Sequence, residues 1–114
     1  ETQWNNMARP CGLYIDKSGD QRVYVGELGV CIGSNAKAVG LGPRIGIMDI
    51  KGNYLAKLGD LPEGEEPGRF LAPHGVCIDS RGDIYVAEVS FTHLSHTKVP
   101  THNPRSLQKL VLTG

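Results

Sequence analysis

Apolar and polar residues alternate in two stretches of the chain that lie far apart in the sequence. In the first, Leu13 and Ile15 fall on one face of an extended backbone, and in the second, Val76 and Ile78 do the same. Alternation with a period of two is typical of a β-strand with one buried face. Each stretch is followed by Asp and Gly residues that favour a tight turn, and then by a second run of β-branched and aromatic residues. The pattern therefore predicts two strand–turn–strand units.

These two units are copies of one another. Residues 10–20 read PCGLYIDKSGD and residues 73–83 read PHGVCIDSRGD, and the strands that follow, VYVGE and IYVAE, are again alike. Asp16 and Asp79 are expected to form the turns by accepting hydrogen bonds from the backbone. An internal repeat indicates that each copy is a supersecondary unit that needs neighbours to bury its apolar face.

Further strands complete the first copy but not the second. Third strands are predicted at residues 44–50 and 105–111, and a fourth strand at residues 54–58 follows a Lys-Gly-Asn turn. The expected fold is all-β, with four antiparallel strands in a meander for each complete unit. The predicted organisation is a first unit at 10–60, a linker at 61–69, a second unit at 70–114 without its outer strand, and residues 1–4 as the end of a preceding unit's outer strand.

Glu27 and Glu88 end the second strands of the two units. Each carboxylate is expected to accept hydrogen bonds from nearby turn amides or to pair with an arginine at the start of the third strand. The candidate partners are Arg44 for Glu27 and Arg105 for Glu88. The role predicted for both glutamates is structural.

Two long connections, residues 29–42 and 90–104, interrupt the regular strands. The second contains His93, His96 and His102, which are candidate metal ligands. His93 and His96 are three residues apart, but the surrounding residues lack helix signals and are predicted to be a loop. Because a loop loses conformational entropy when it binds a metal, a specific metal site at these histidines is not expected.

The composition argues against several classes of function. Twelve basic and twelve acidic residues cancel and neither sign forms a long run, so no nucleic-acid partner is expected. No apolar run approaches the roughly 18 residues of a membrane-spanning helix, so no membrane association is expected. The sequence also lacks the Gly-x-x-x-x-Gly-Lys-Ser pattern of a phosphate-binding loop and the Gly-x-Ser-x-Gly pattern of many hydrolases.

Three cysteines form an odd set without the spacing of a metal site. They favour free thiols in a reducing compartment, with the cytoplasm as the expected location. Because the chain begins with Glu1 rather than Met, we expect it to be part of a longer protein.

Residues 70–87 follow the pattern F-x-x-P-x-G-V-x-I-D-x-x-G-x-I-Y-V-A. This pattern closely resembles the NHL repeat, the blade motif of six-bladed β-propellers, and the resemblance extends over about two blades. It implies two propeller blades of four antiparallel strands, which are incomplete unless further blades join them. NHL repeats occur in enzymes, binding proteins and scaffolds, so the fold alone does not identify a function.

The segment PHGVCID at residues 73–79 is similar to a segment of the peptidyl-α-hydroxyglycine α-amidating lyases. In that family the histidine binds zinc in the central channel together with histidines of two other blades, and the carbonyl two residues later faces calcium. The resemblance therefore implies His74 as a zinc ligand and the backbone of Val76 as a calcium ligand. The matching position of the first blade is Cys11, whose thiolate is a competent zinc ligand. The family's catalytic Arg and Tyr have no matching motif, so no catalytic residue is assigned.

Three functions follow from these resemblances. The first is a metal-dependent relative of the amidating lyases, active only as part of a complete propeller. The second is a non-catalytic propeller module that binds a protein or peptide. The third, a lactonase-like hydrolase with a central calcium, is least expected because the chain offers few acidic and Asn ligands.

Exposed strand edges and uncovered apolar faces require partners in each of these cases. The partners are either the remaining blades of a longer chain or further copies of this one. Of the assemblies made from copies, a ring of three, which would contain six blades, is favoured.

Overall fold

The described part of the chain, residues 2–29, 42–95, 99 and 101–113 of the computed structural model, contains seven strands and one short helix. The strands are β1 (Pro10–Ile15), β2 (Val23–Glu27), β3 (Arg44–Met48), β4 (Tyr54–Gly59), β5 (Pro73–Ile78), β6 (Ile84–Glu88) and β7 (Leu107–Leu110), and the helix is α1 (Ser90–Ser95). They form two antiparallel sheets in the orders β1-β2-β3-β4 and β5-β6-β7. We call these sheets the first blade and the second blade. The prediction of an all-β fold, consistent with part of a propeller, is confirmed.

An aspartate closes each of the three short hairpins. Asp16, Asp49 and Asp79 accept a hydrogen bond from the N–H two residues on, at 2.9, 2.8 and 2.9 Å. A glycine in the left-handed region completes each turn, because residues with a side chain rarely adopt this backbone conformation. These glycines are Gly19 (φ 55°), Gly52 (φ 90°) and Gly82 (φ 87°). The turn role predicted for Asp16 and Asp79 is confirmed.

The two blades pack face to face through an apolar core. Tyr24 and Ile45 of the first blade and Ile84 and Val86 of the second are buried there together with Phe70, which is 1% exposed. Because side chains alternate along a strand, this core uses one face of each blade. The opposite faces of the two blades point away from it.

The opposite face of the first blade is covered by the start of the chain. Val23, Val25 and Met48 are buried on this face, and Trp4 and Met7 pack against them. Residues 2–9 form no strand, although residues 1–4 were predicted to be the end of a preceding blade's outer strand. That role in a neighbouring blade, like the predicted division of the chain into units and linker, stays a prediction.

The helix α1 corrects the prediction of a loop after β6. Six residues are too few for a helix to be stable alone, so α1 depends on its tertiary contacts. Ser90, His93 and Leu94 are buried, and the Ser90 hydroxyl donates to the carbonyl of Arg105 at 2.7 Å. The sequence pattern missed α1 because these stabilising contacts are distant in the chain. With six residues, α1 is far shorter than a membrane-spanning helix, and no described helix reaches that length.

Candidate functional site

His74 lies on β5, where the inner strands of the two blades meet. Its side chain is exposed, whereas its backbone packs against glycines of the first blade. A Cβ atom at Gly12 would overlap the carbonyl oxygen of His74, and a Cβ atom at Gly26 would lie 3.0 Å from it. Glycine is therefore needed at Gly12 for this close approach of the two inner strands. The imidazole is the part of His74 that is left accessible.

Cys11 and Val76, the other two predicted metal ligands, contact different parts of the chain. Cys11 is half-buried on β1, with its Sγ 3.9 Å from the carbonyl oxygen of Arg9. The side chain of Val76 packs into the core between the blades. Throughout residues 2–29, 42–95, 99 and 101–113, no three His, Cys, Asp or Glu side chains are grouped to hold a metal ion. The zinc and calcium roles of His74, Cys11 and Val76 stay predictions.

Two histidines after β6 contact glutamates that precede β5. The Nε2 atom of buried His93 lies 2.5 Å from a carboxylate oxygen of Glu63, and that of His102 lies 2.6 Å from Glu65. These contacts hold the segment after β6 against the segment between the blades. His96, the third member of the predicted cluster, lies outside the described residues.

Glu27 forms a buried ion pair with Arg44 in the first blade. The carboxylate is 0% exposed and accepts two hydrogen bonds of 3.0 Å from Arg44, one of 2.8 Å from the Tyr54 hydroxyl and one of 2.7 Å from the N–H of Ala8. Burial by itself lowers the pKa of Arg44, but the hydrogen bonds and charge of Glu27 raise it above its usual value. Burial and the bond to Glu27 raise the pKa of Tyr54 to about 12. The predicted pairing of Glu27 with Arg44 is confirmed.

Glu88 occupies the equivalent position of the second blade but has different partners. Its carboxylate accepts hydrogen bonds from the N–H groups of Leu71 and Ala72, at 2.7 and 3.1 Å, and from the Gln108 amide at 3.3 Å. Of the two kinds of partner predicted for Glu88, nearby backbone amides are confirmed and the pairing with Arg105 is wrong. Arg105 donates instead to backbone carbonyls of the segment before β5, and its Nε atom is buried without a partner.

The outward face of the second blade carries apolar side chains that remain exposed. We call it the outer face and define it by Cys77, Tyr85, Ala87, Leu107 and Lys109, which alternate with residues of the core between the blades. Leu107 lies opposite Ala87 and is 62% exposed.

The equivalent face of the first blade is covered by another blade, so it can be compared with the outer face. Ile45 lies opposite Gly26, the residue that the repeat aligns with Ala87, so Ile45 corresponds to Leu107. Ile45 is 0% exposed because the second blade packs over it. The outer face therefore corresponds to the interblade surface of the first blade, and no described residue of this chain covers it.

The second blade also ends in an open strand edge. Among the described strands, β7 pairs with β6 alone, whereas the corresponding strand β3 pairs with both β2 and β4. A groove of about 500 Å³ lies beside this edge, between β4 and the residues after β7. We call it the edge groove and define it by Ile47, Leu58, Ile84, Leu110 and Leu112.

Comparison with known proteins supports the interpretation as propeller blades. Residues 70–93, which include β5 and β6, match the NHL repeat. No curated protein matches the chain. The NHL match and the two packed antiparallel sheets support a propeller-type protein-interaction module.

Proposed function

We propose that this chain is a non-catalytic, protein-binding propeller module that assembles with further blades through the outer face of its second blade. The observation that carries this proposal is the contrast between Leu107, 62% exposed, and the corresponding Ile45, 0% exposed. Burying a leucine side chain fully contributes about 1.5–3 kcal/mol, so covering the outer face is favourable. The NHL match at residues 70–93 is consistent with this role.

The partner surface is the face of the first blade that carries Trp4 and Met7. Met7 lies three residues before Pro10, as Phe70 lies three residues before Pro73, so the repeat places Met7 and Phe70 at equivalent positions. Phe70 belongs to the core between the blades. If the repeat continues from one copy to the next, Met7 contacts the outer face of a neighbouring copy.

This geometry generates a head-to-tail assembly. One copy presents its outer face and the next presents the Met7 face, so the contact is between different surfaces and leads to a ring when the rotation closes. Three copies of two blades give a ring of six blades. A ring of three copies is therefore the proposed assembly.

Complementary variants test this head-to-tail contact. Leu107→Asp blocks the outer face and Met7→Asp blocks the opposite face, while each leaves the other surface intact. We expect light scattering after size exclusion to give three times 12.3 kDa for the unmodified chain and 12.3 kDa for each variant alone. An equimolar mixture of the two variants is expected to form a dimer. Leu61→Asp, at an exposed leucine outside both faces, is the matched control and should assemble as the unmodified chain does.

Two results would contradict the proposal. One is an unmodified chain that stays monomeric at about 100 µM, a concentration at which even a weak contact of about −5.5 kcal/mol is half occupied. The other is a Leu107→Asp variant that assembles normally while circular dichroism shows it to be folded.

An amidating-lyase-like, metal-dependent function is a second candidate, supported by the accessible imidazole of His74 at the inner end of the blades. The His74 imidazole and the Cys11 thiol, on the inner strands of neighbouring blades, are donors that zinc accepts. Further ligands would come from other blades, and the backbone of Val76 would offer an oxygen to calcium. Bound zinc would supply a Lewis acid in the channel.

Metal content distinguishes this candidate from the first. The assembled protein is measured for zinc and calcium by mass spectrometry after dialysis against each metal. The lyase-like candidate predicts stoichiometric metal that is lost in His74→Ala and kept in His102→Ala, a histidine outside the inner strands. Equal metal content in both variants, or none in the unmodified assembly, would exclude His74 as a ligand.

A further inference from the structure

A polar cleft lies between the two blades, beside the turns that follow β1 and β5. Near the starts of these two strands, Gly12 packs directly against the backbone of His74. Beyond the ends of the strands, the blades border a cavity of about 410 Å³. Small-molecule sites usually have volumes of about 300–1,000 Å³, so the cleft has room for a small ligand. Both of its walls belong to this chain.

The floor of the cleft is the end of the apolar core between the blades. Tyr14 of β1 and Ile78 of β5 line the cleft and also pack against that core. Both residues are half-buried, so part of each side chain remains accessible from the cleft. The floor therefore suits an apolar group of a ligand.

The wall formed by the first blade carries a carboxylate with an available oxygen. The N–H and the hydroxyl of Ser18 both donate to the same oxygen of Asp16, at 2.9 and 2.7 Å. These hydrogen bonds lower the pKa of Asp16, so its carboxylate is charged at neutral pH. No described residue donates to the other carboxylate oxygen. That oxygen can accept a hydrogen bond from a ligand.

The wall formed by the second blade carries an arginine. Among the described residues, the guanidinium of Arg81 has no hydrogen-bond or ion-pair partner, and neither has the hydroxyl of Ser80 beside it. Asp79 accepts hydrogen bonds from two backbone N–H groups, at 2.9 and 3.0 Å. Asp83, on which the charge of Arg81 acts, is paired with Lys109 at 3.0 Å. The donors of Arg81 and Ser80 are therefore available to a ligand.

Asp16 and Arg81 thus present opposite charges from the two walls of one cleft without pairing with each other. A charge-assisted hydrogen bond is about twice as strong as one between neutral groups, so a ligand gains most by offering an opposite charge to each wall. A ligand with a single charge would pair with one wall and leave the other unpaired. A molecule that carries both a cationic and an anionic group matches both.

We propose that this cleft binds a small zwitterion with an apolar group, the chemical class of the free α-amino acids with aliphatic side chains. The ammonium group donates to Asp16, and the carboxylate accepts from Arg81 and Ser80. The aliphatic side chain lies on Tyr14 and Ile78. This inference goes beyond the proposed assembly and does not depend on it, because one chain supplies both walls of the cleft.

L-Leucine is the probe, and its binding is followed through the backbone amide signals in NMR spectra of the full chain. We expect saturable shifts at Ser18, Ser80 and Arg81, with a dissociation constant of about 1 mM or below, which is attainable for a ligand of this size. N-Acetyl-L-leucine lacks the ammonium group and L-leucinamide lacks the carboxylate. Each should bind at least about tenfold more weakly than L-leucine.

Two variants assign the charged groups of the ligand to the two walls. Arg81→Gln should remove the preference for L-leucine over L-leucinamide, and Asp16→Asn should remove the preference over N-acetyl-L-leucine. The asparagine oxygen can still accept the hydrogen bonds of the turn, so Asp16→Asn is expected to fold, which circular dichroism checks. Lys17→Gln, at an exposed residue that does not line the cleft, is the matched control for Arg81→Gln and should leave all three affinities unchanged.

Several results would overturn this inference. Equal binding of the three ligands, or no saturable shift with about 10 mM L-leucine, would show that the cleft does not select a zwitterion. Tighter binding of glycerol than of L-leucine would show that the cleft prefers a neutral polyol. An equal loss of affinity in Lys17→Gln and Arg81→Gln would indicate an effect of net charge rather than a site. If these tests fail while the chain still assembles through Leu107 and Met7, the proposed function stands and the cleft inference alone is wrong.

Discussion

The two blades bury a glutamate at the same position in different ways. In the first, Glu27 is surrounded by the charged Arg44 and the hydroxyl of Tyr54, which comes from β4. In the second, Glu88 is held by two backbone N–H groups and by the neutral Gln108. The first arrangement requires a fourth strand, whereas the second is satisfied by three. The same repeat thus supports a closed blade and a blade with a free edge.

The largest effect is expected from Glu27→Gln. This change leaves Arg44, 2% exposed, with Asp60 as its remaining carboxylate partner. Removing one partner of a buried ion pair costs about 3–5 kcal/mol, so the free energy of unfolding should fall by about 3 kcal/mol. Urea denaturation followed by tryptophan fluorescence measures this value, and a loss below about 1 kcal/mol would show that the pair is not buried as described.

Glu88→Gln is expected to have a smaller effect. No arginine is left unpaired by this change, and the amide oxygen still accepts the bonds from Leu71 and Ala72. A hydrogen bond to a charged group contributes about 1.5–3 kcal/mol. Replacing the charged acceptor by a neutral amide should therefore lower the free energy of unfolding by about 1 kcal/mol. The same denaturation experiment applies. A cost equal to that of Glu27→Gln would remove the proposed difference between the two sites.

Tyr54→Phe tests the contribution of the fourth strand. It removes the hydroxyl that donates to Glu27 and keeps the ring, so the expected cost is about 1 kcal/mol. Because the pKa of Tyr54 is raised to about 12, its hydroxyl remains a donor up to that pH. Spectrophotometric titration of the unmodified chain is expected to show one tyrosine that ionises later than the others. The absence of such a tyrosine would place the Tyr54 hydroxyl outside the buried site.

The smallest effect concerns the dependence of stability on pH. The N–H of Leu112 and then Lys109 lower the pKa of Asp83, so its carboxylate is more acidic in the folded chain than in the unfolded one. A lowered pKa stabilises the fold above the unfolded value of about 3.9, and this stabilisation is lost as the pH falls below it. Asp83→Asn should therefore reduce the difference in urea midpoint between pH 6 and pH 3. An unchanged difference would mean that Asp83 does not contribute.

The repeated hairpins could be predicted because their causes are local. Alternating apolar residues identify β1 and β5, and Asp16 and Asp79 form their turns through bonds to residues two positions away. The pairing of Glu27 with Arg44 could also be predicted, because Glu27 ends one strand and Arg44 begins the next. These features depend on order along the chain rather than on distant contacts.

The choice between the two partners predicted for Glu88, backbone amides or Arg105, could not be made in the same way. In the first blade Arg44 lies directly opposite Glu27, but in the second blade the residue opposite Glu88 is Ser106. Arg105 is therefore displaced by one position, and a shift of one residue along a strand turns the side chain to the other face. Register of this kind is set by the whole sheet. The sequence pattern alone does not reveal it.

The edge groove was likewise beyond the sequence pattern. The pattern predicted that the second blade lacks its outer strand, but not that Gln108 would satisfy Glu88 without it. That contact depends on which residue lies opposite Val86, which is again a matter of register.

The metal hypothesis for His74 depends on blades outside this chain and stays a prediction.

Sedimentation equilibrium of the unmodified chain, over about 1–100 µM, reports whether copies of this chain associate, as the proposed head-to-tail contact requires. A ring of three copies predicts a mass that rises with concentration towards three times 12.3 kDa. A constant mass of 12.3 kDa over the whole range would contradict it.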